Sequence, residues 1–217
     1  MPATNTARNT RRDPETTRRE ILDAATAEFA AKGPLGGRID VIASLTHTSK
    51  RMIYYYFKSK AGLYREVLIE AYENIRRREI DLRPETLEPE AALRILTRET
   101  LQHFENNADA VRIIAYENLQ YRAETIAQTP RLFEINEKTL TILDDILARG
   151  RASGVFREGP NATDLHQVLS ALALNRIEHQ ASFKVLFNRD MLGREESFDN
   201  RTMIEDAVLR FILANPS

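Results

Sequence analysis

Cysteine and tryptophan are absent from the 217 residues, and glycine and proline number only eight each. Without cysteine there is neither a disulfide framework nor a thiolate metal site. Scarce glycine and proline leave long stretches unbroken, as helices require. No apolar run approaches the roughly 20 residues that span a bilayer, and the opening MPATNTARNTRR lacks the apolar stretch of a secretory leader. The expectation is a cytoplasmic protein with no membrane segment. Catalytic signatures are missing too: His47, His103, His166 and His179 are scattered, and no phosphate loop, nucleophile elbow or metalloprotease helix occurs. Asp144 and Asp145 are adjacent, so on a helix they point apart, which suits a solvated face better than acid and base work. These readings predict a protein that is not an enzyme and needs no metal or cofactor.

Charge is present but unevenly spread. Residues 1–60 hold 11 Lys and Arg against 6 Asp and Glu, whereas the remainder holds 20 against 26. A basic N-terminal part on a mildly acidic body suggests that the first part meets a polyanion. Chance unevenness would also account for the charge taken alone. The length allows one compact domain or two smaller units.

Apolar residues recur at steps of three and four throughout, which predicts an all-α chain. Asp13 and Pro14 begin a first helix as N-cap and first-turn residue, with Ile21, Leu22, Ala25 and Phe29 on its inner face and Lys32, Gly33 and Pro34 ending it. A short helix holding Ile39, Ile42 and Ala43 follows, then a turn at Thr46, His47 and Thr48 and a third helix near residues 49–56. Further helices are expected over about 60–82, around Leu93 to Phe104, around Val111 to Leu119, after Pro130, over 161–187, and around Ile204 to Ile212. Arg76, Arg77 and Arg78 read as a solvated face.

SKRMIYYYFKSK, residues 49–60, packs cations, hydroxyls and aromatics onto barely three turns. A helix entering a major groove needs donors at its N-terminus, cations on its flanks and one apolar face to hold it to its own domain. Here Ser49 can cap, Lys50 and Arg51 occupy the first turn, Ile53 and Phe57 can anchor inward, and Tyr54 and Tyr56 offer hydroxyls outward. An ordinary surface hairpin is the bland alternative.

From Thr17 to Leu68 the chain resembles the TetR family of bacterial regulators, in TRREILDAATAEFAAKG, in the helix around Ile42, and in SKRMIYYYFKSKAGLYREVL. The resemblance implies a flexible basic arm over residues 1–14, a helix-turn-helix DNA-binding domain over 15–60, and an effector-binding and dimerisation domain over 61–217. It implies a ligand-responsive repressor released from a palindromic operator by a small molecule, acting as a homodimer on double-stranded DNA. Carried over residue by residue, it places Arg38, Thr48, Ser49, Lys50, Arg51, Met52, Tyr54, Tyr56 and Lys60 at DNA. Two departures stand out: His47 sits where the turn usually has Gly, and Gly37 and Arg38 stand where a Thr or Ser usually caps the second helix. His tolerates the left-handed turn better than a branched residue does. Arg8, Arg11 and Arg12 either reach a minor groove or form a solvated tail.

In the body, ENLQYRAETI from Glu117 and RGRASGVFREG from Arg149 are similar to regulators of nitrogen-heterocycle and aromatic catabolism. Polar or aromatic residues on apolar faces, namely Tyr72, Phe104, Tyr116, Asn118, Asn175 and His179, are candidate pocket residues, with a satisfied core role as the other reading of each. The seam Leu165, Leu169, Leu172, Arg176 and Phe183, with Ile204, Val208 and Phe211, is the candidate dimer interface. Packing within one chain is the alternative for these stripes.

Overall fold

The computed structural model describes residues 13–215, with side chains other than those of residues 77–81 and 194–198. Arg8, Arg11, Arg12 and the side chains of Arg77 and Arg78 therefore lie outside the described residues. The described chain is built from eleven α-helices without a β-ladder, and it divides into two compact units after Val67.

The first unit opens with α1 (Pro14–Gly36), α2 (Ile39–Leu45) and α3 (Lys50–Phe57) and closes with the first two turns of α4 (Lys60–Asp81). Asp13 caps α1 by accepting from the Thr16 N–H at 3.1 Å, with Pro14 in the first turn. The regular helix breaks at Gly33, whose φ of 70° only glycine adopts freely, so the expected stop holds although a short turn continues to Gly36. His47 does take the left-handed conformation, with φ 52°. Ile21, Leu22, Phe29, Ile42, Ile53, Phe57, Leu63 and Val67 close one small core. The Phe29 and Tyr64 rings meet edge to face at 5.4 Å, and Arg18 pairs with Glu66 while lying over the Phe57 ring at 5.4 Å. Residues 61–67 thus belong physically with the head, seven positions beyond the expected boundary, because their apolar side chains complete its core.

The second unit continues α4 and adds α5 (Pro89–Asn106), α6 (Ala108–Gln120), α7 (Glu124–Ala127), α8 (Pro130–Ala152), α9 (Ala162–Glu178), α10 (Gln180–Phe187) and α11 (Arg194–Ile212). Helix α5 packs against α6, α8, α9 and α11, with Leu93, Leu96, Leu101 and Phe104 buried. Between α5 and α11 the guanidinium of Arg98 grips Glu205 with two bonds of 2.8 Å. An Asn161–Asp164 capping box starts α9, and Arg176 near its end is buried in an ion pair with Glu105 and donates to the Met191 carbonyl at 3.1 Å. Helix α8 ends where Phe156 folds over Gly150 and bridges to Leu213 after α11.

Two expectations fail here. The span 161–187 is not one helix, since the chain turns at His179 and α10 sets off with none of its residues buried. Arg76 is no solvated residue: it is buried, donating from Nε to Asn136 Oδ1 at 3.4 Å and lying 3.1 Å from His166 Nε2. Its position four residues after Tyr72 turns it inward, as the helical period requires.

A candidate nucleic-acid interface and a polar cluster in the body

Helix α3 is held by one narrow stripe. Ile53 is wholly buried and Phe57 nearly so, while Lys50, Arg51, Met52, Tyr54 and Tyr55 are exposed. Ser49 Oγ accepts from the Met52 N–H at 3.2 Å and fixes the helix start, where free backbone donors and the dipole favour an anion. Thr48 is half-buried, its N–H bonded to the Ala43 carbonyl at 3.1 Å. Tyr56 is also half-buried, meeting Phe57 at 6.2 Å between ring centres. Tyr55, not among the residues expected at DNA, is more exposed than Tyr54 or Tyr56. Its ring stands edge-on to Tyr56 at 5.4 Å, with the Lys58 ammonium 5.7 Å from its centre.

The helix ends abruptly at Lys58, whose φ is 67°, and α4 starts two residues later. Ser59 Oγ accepts from the Gly62 N–H at 2.9 Å, and Lys60 Nζ donates to the Leu35 carbonyl at 3.0 Å. Lys60 is therefore anchored to the end of α1 by one of its three protons, leaving the others for an external oxygen. At the start of α2, Arg38 has no side-chain cap to offer; its own N–H donates to Glu28 Oε1 at 3.1 Å. Its guanidinium turns back on Asp40, with Nε and Nη2 at 3.2 and 2.7 Å from the two carboxylate oxygens. That pairing raises the guanidinium's pKa and lowers that of Asp40, and the charge of Lys50 lowers Asp40 further.

In the body, the polar groups converge from four helices. Arg76 on α4 contacts Asn136 on α8 and His166 on α9, and the charges of both Arg76 and Glu117 on α6 act on the Tyr72 phenol. Burial pushes the Tyr72 phenol up and pushes His166 down to about 4, with Arg76 adding to the fall, so the imidazole is neutral at pH 7. Glu117 has no exposed surface; Oε1 accepts from the Thr125 and Ile126 N–H groups at 2.8 and 3.4 Å, while Oε2 has no protein partner. Ile126 and Asn136 also line a mostly apolar depression of about 490 Å³ with Leu132, Phe133, Glu137 and Leu140.

Of the six pocket candidates, only Tyr72 falls in this cluster. Phe104 is buried on α5 and Tyr116 is half-buried on α6. Asn118 is exposed and donates to the Ile114 carbonyl at 2.8 Å of its own helix, and Asn175 faces His179 at 3.3 Å beside the exposed corner between α9 and α10. Asn118 and His179 are exposed and Asn175 is half-buried, so none of the three joins the buried cluster. Glu117, one residue before Asn118, was the inward member: it continues the buried positions Ala110, Ile113 and Ile114, while Leu119 is exposed.

The interface candidates divide similarly. Leu165, Leu169, Arg176, Ile204 and Val208 are buried against the chain's own helices and are not available to a second chain, because the seam they form packs inside the body. Leu172, Phe183 and Phe211 remain half-exposed. Val185, Leu186 and Phe187 on α10 are 65–82% exposed, and Met203 on α11 is 52% exposed.

Residues 21–67 match the family model for bacterial regulatory proteins of the tetR family, and residues 89–208 match that for the tetracyclin repressor-like C-terminal domain. The HTH-type transcriptional repressor NicS of Pseudomonas putida is 30% identical over 89% of this chain and 91% of its own length. The HTH-type transcriptional repressor SCO4008 of Streptomyces coelicolor is 30% identical over 75% of this chain and 79% of its own. In fold, the chain superposes with a TM-score of 0.65 on the transcriptional regulator FadR from Bacillus subtilis, solved in complex with stearoyl-CoA. The two are 20% identical, over 90% of this chain and 97% of that one.

Proposed function

Because the chain belongs to the TetR family of bacterial regulatory proteins, a family of ligand-responsive DNA-binding regulators that act as dimers, we propose that it is a repressor released from a palindromic operator by a small effector. One observation carries the DNA half: α3 is pinned by Ile53 and Phe57 so that its cations and phenols face outward. Lys50, Arg51, Met52 and Tyr54 read bases or the nearest backbone, and Arg38, Thr48, Ser49, Tyr56 and Lys60 reach phosphates, with Tyr55 added to them. Binding is tested by fluorescence anisotropy on duplex DNA at low salt. Lys50→Ala and Arg51→Ala should each weaken it without lowering the melting temperature. Wild-type protein indifferent to every duplex at 50 mM salt would sink the reading.

The effector enters, on this proposal, through the depression between α7 and α8 and meets the polar groups behind it. The apolar lining suits an apolar body, and Glu117 Oε2 calls for a hydrogen-bond donor on the ligand. The solved relative with a bound acyl-CoA supports a body of this fold taking up a small molecule. Differential affinity for two states of the dimer then couples the sites. No described helix is long and apolar enough to cross a membrane. On this proposal the protein acts as a regulator in the cytoplasm, where the DNA is, and not as an enzyme.

The second copy docks, in the same proposal, on α10 and α11, where Val185, Leu186, Phe187 and Met203 are exposed and Leu172, Phe183 and Phe211 are half-exposed. Such a surface is unusual on a monomer and ordinary in a two-fold interface.

A further inference from the structure

The outward surface of the head carries a carboxylate among its cations. Asp40, in the first turn of α2, is held by both donors of the Arg38 fork and lies close enough to Lys50 for that charge to act on it. Both members of the pair are exposed, so the contact adds little to stability, while the two-pronged geometry is the one a guanidinium offers to a phosphate. Asp40 therefore occupies the Nε–Nη2 edge of the guanidinium and offsets its charge, and a DNA phosphate seeking that edge competes with it.

We propose that Asp40 is an internal competitor for the DNA phosphate at Arg38 and so limits how strongly the head binds duplexes of arbitrary sequence. The inference rests on the DNA-reading role of the head. While Arg38 is neutralised by its own chain, its approach to the backbone releases no counterion; freed from Asp40, it does. An acid in the first turn also suits the positive end of the α2 dipole, but that role alone would leave the salt dependence of DNA binding unchanged.

The test measures the affinity of wild type, Asp40→Asn, Arg38→Ala and the double variant for a random-sequence 20-base-pair duplex between 50 and 200 mM KCl. Asp40→Asn should bind about eightfold more tightly near 0.1 M salt, with the slope of log K against log salt steeper by about one. In the Arg38→Ala background the same change should lose most of that gain. An unchanged slope in Asp40→Asn, in protein that melts at the wild-type temperature, overturns the proposal while leaving the regulator reading intact. A gain undiminished without Arg38 overturns it as well. Should Asp40→Asn loosen the head, Arg38→Lys serves instead: it keeps the charge, loses the two-pronged grip and should likewise steepen the slope, and a slope equal to wild type counts against the proposal. Wild-type protein without duplex affinity at 50 mM would fail the DNA-reading role itself.

Discussion

A Cβ at position 62 would come within 2.1 Å of the Phe57 carbonyl oxygen, and backbone cannot step aside as a side chain can. Gly62 therefore sets how closely α4 leaves the end of α3. Gly62→Ala should cost the head roughly 1–3 kcal/mol, read as a lower melting temperature with weakened DNA binding. Ile53→Ala empties the anchor of the recognition helix and should cost about 2–5 kcal/mol, seen in denaturant unfolding. His166 gives a pH effect of known sign. Its folded-state pKa, depressed to about 4 by burial and by Arg76, lies below the ordinary value of 6.5. Nothing is lost at pH 7; as pH falls from about 6.5 to about 4 the unfolded chain takes up a proton that the folded one refuses. Stability is lost across that window, on the order of 3 kcal/mol, and the loss levels off below it. His166→Gln should flatten that part of the curve of unfolding midpoint against pH; a curve parallel to wild type would contradict the burial assigned to the ring.

The elements of the head were legible because their signals are local. Asp13 and Ser49 mark helix starts within three residues of the N–H groups they accept from, Gly33 breaks α1 where its neighbours suggest, and His47 turns the chain where the spacing asks for it. The body was less legible because its decisive contacts are distant. Arg76 looks like one of three surface arginines until its partners Asn136 and His166 arrive from 60 and 90 positions away. Glu117 looks solvated until α7 places two N–H groups against it. The corner between α6 and α7 is also strained, with Arg122 and Ala123 both left-handed at φ 49° and 63°. Ala123→Gly removes the Cβ clash and should stabilise the body by about 1 kcal/mol. Lower stability in a chemical melt would show that the conformation costs alanine nothing there.

At the level of the whole molecule, the heptad-like pattern in α9 was real, but its partner is the chain's own interior. A repeat of apolar residues reports that a face is covered without saying by what. The same steps of four and three run on to Phe183 and Leu186, which α10 leaves half-exposed and exposed, so the end of the pattern, and not its start, marks the proposed dimer surface. Leu186→Glu is expected to shift sedimentation from dimer to monomer at micromolar protein and to weaken operator binding, while the far-ultraviolet spectrum keeps its helical shape. A dimer undisturbed by that charge would move the interface elsewhere. Helix α4 runs without a break from the first compact unit into the second, so no flexible linker marks where they could be cut apart. A fragment ended at residue 60 would forfeit Leu63, Tyr64 and Val67 and leave Phe29 wet. Anyone wanting the reading head alone must sever a helix mid-rod and keep the turns that carry those three side chains.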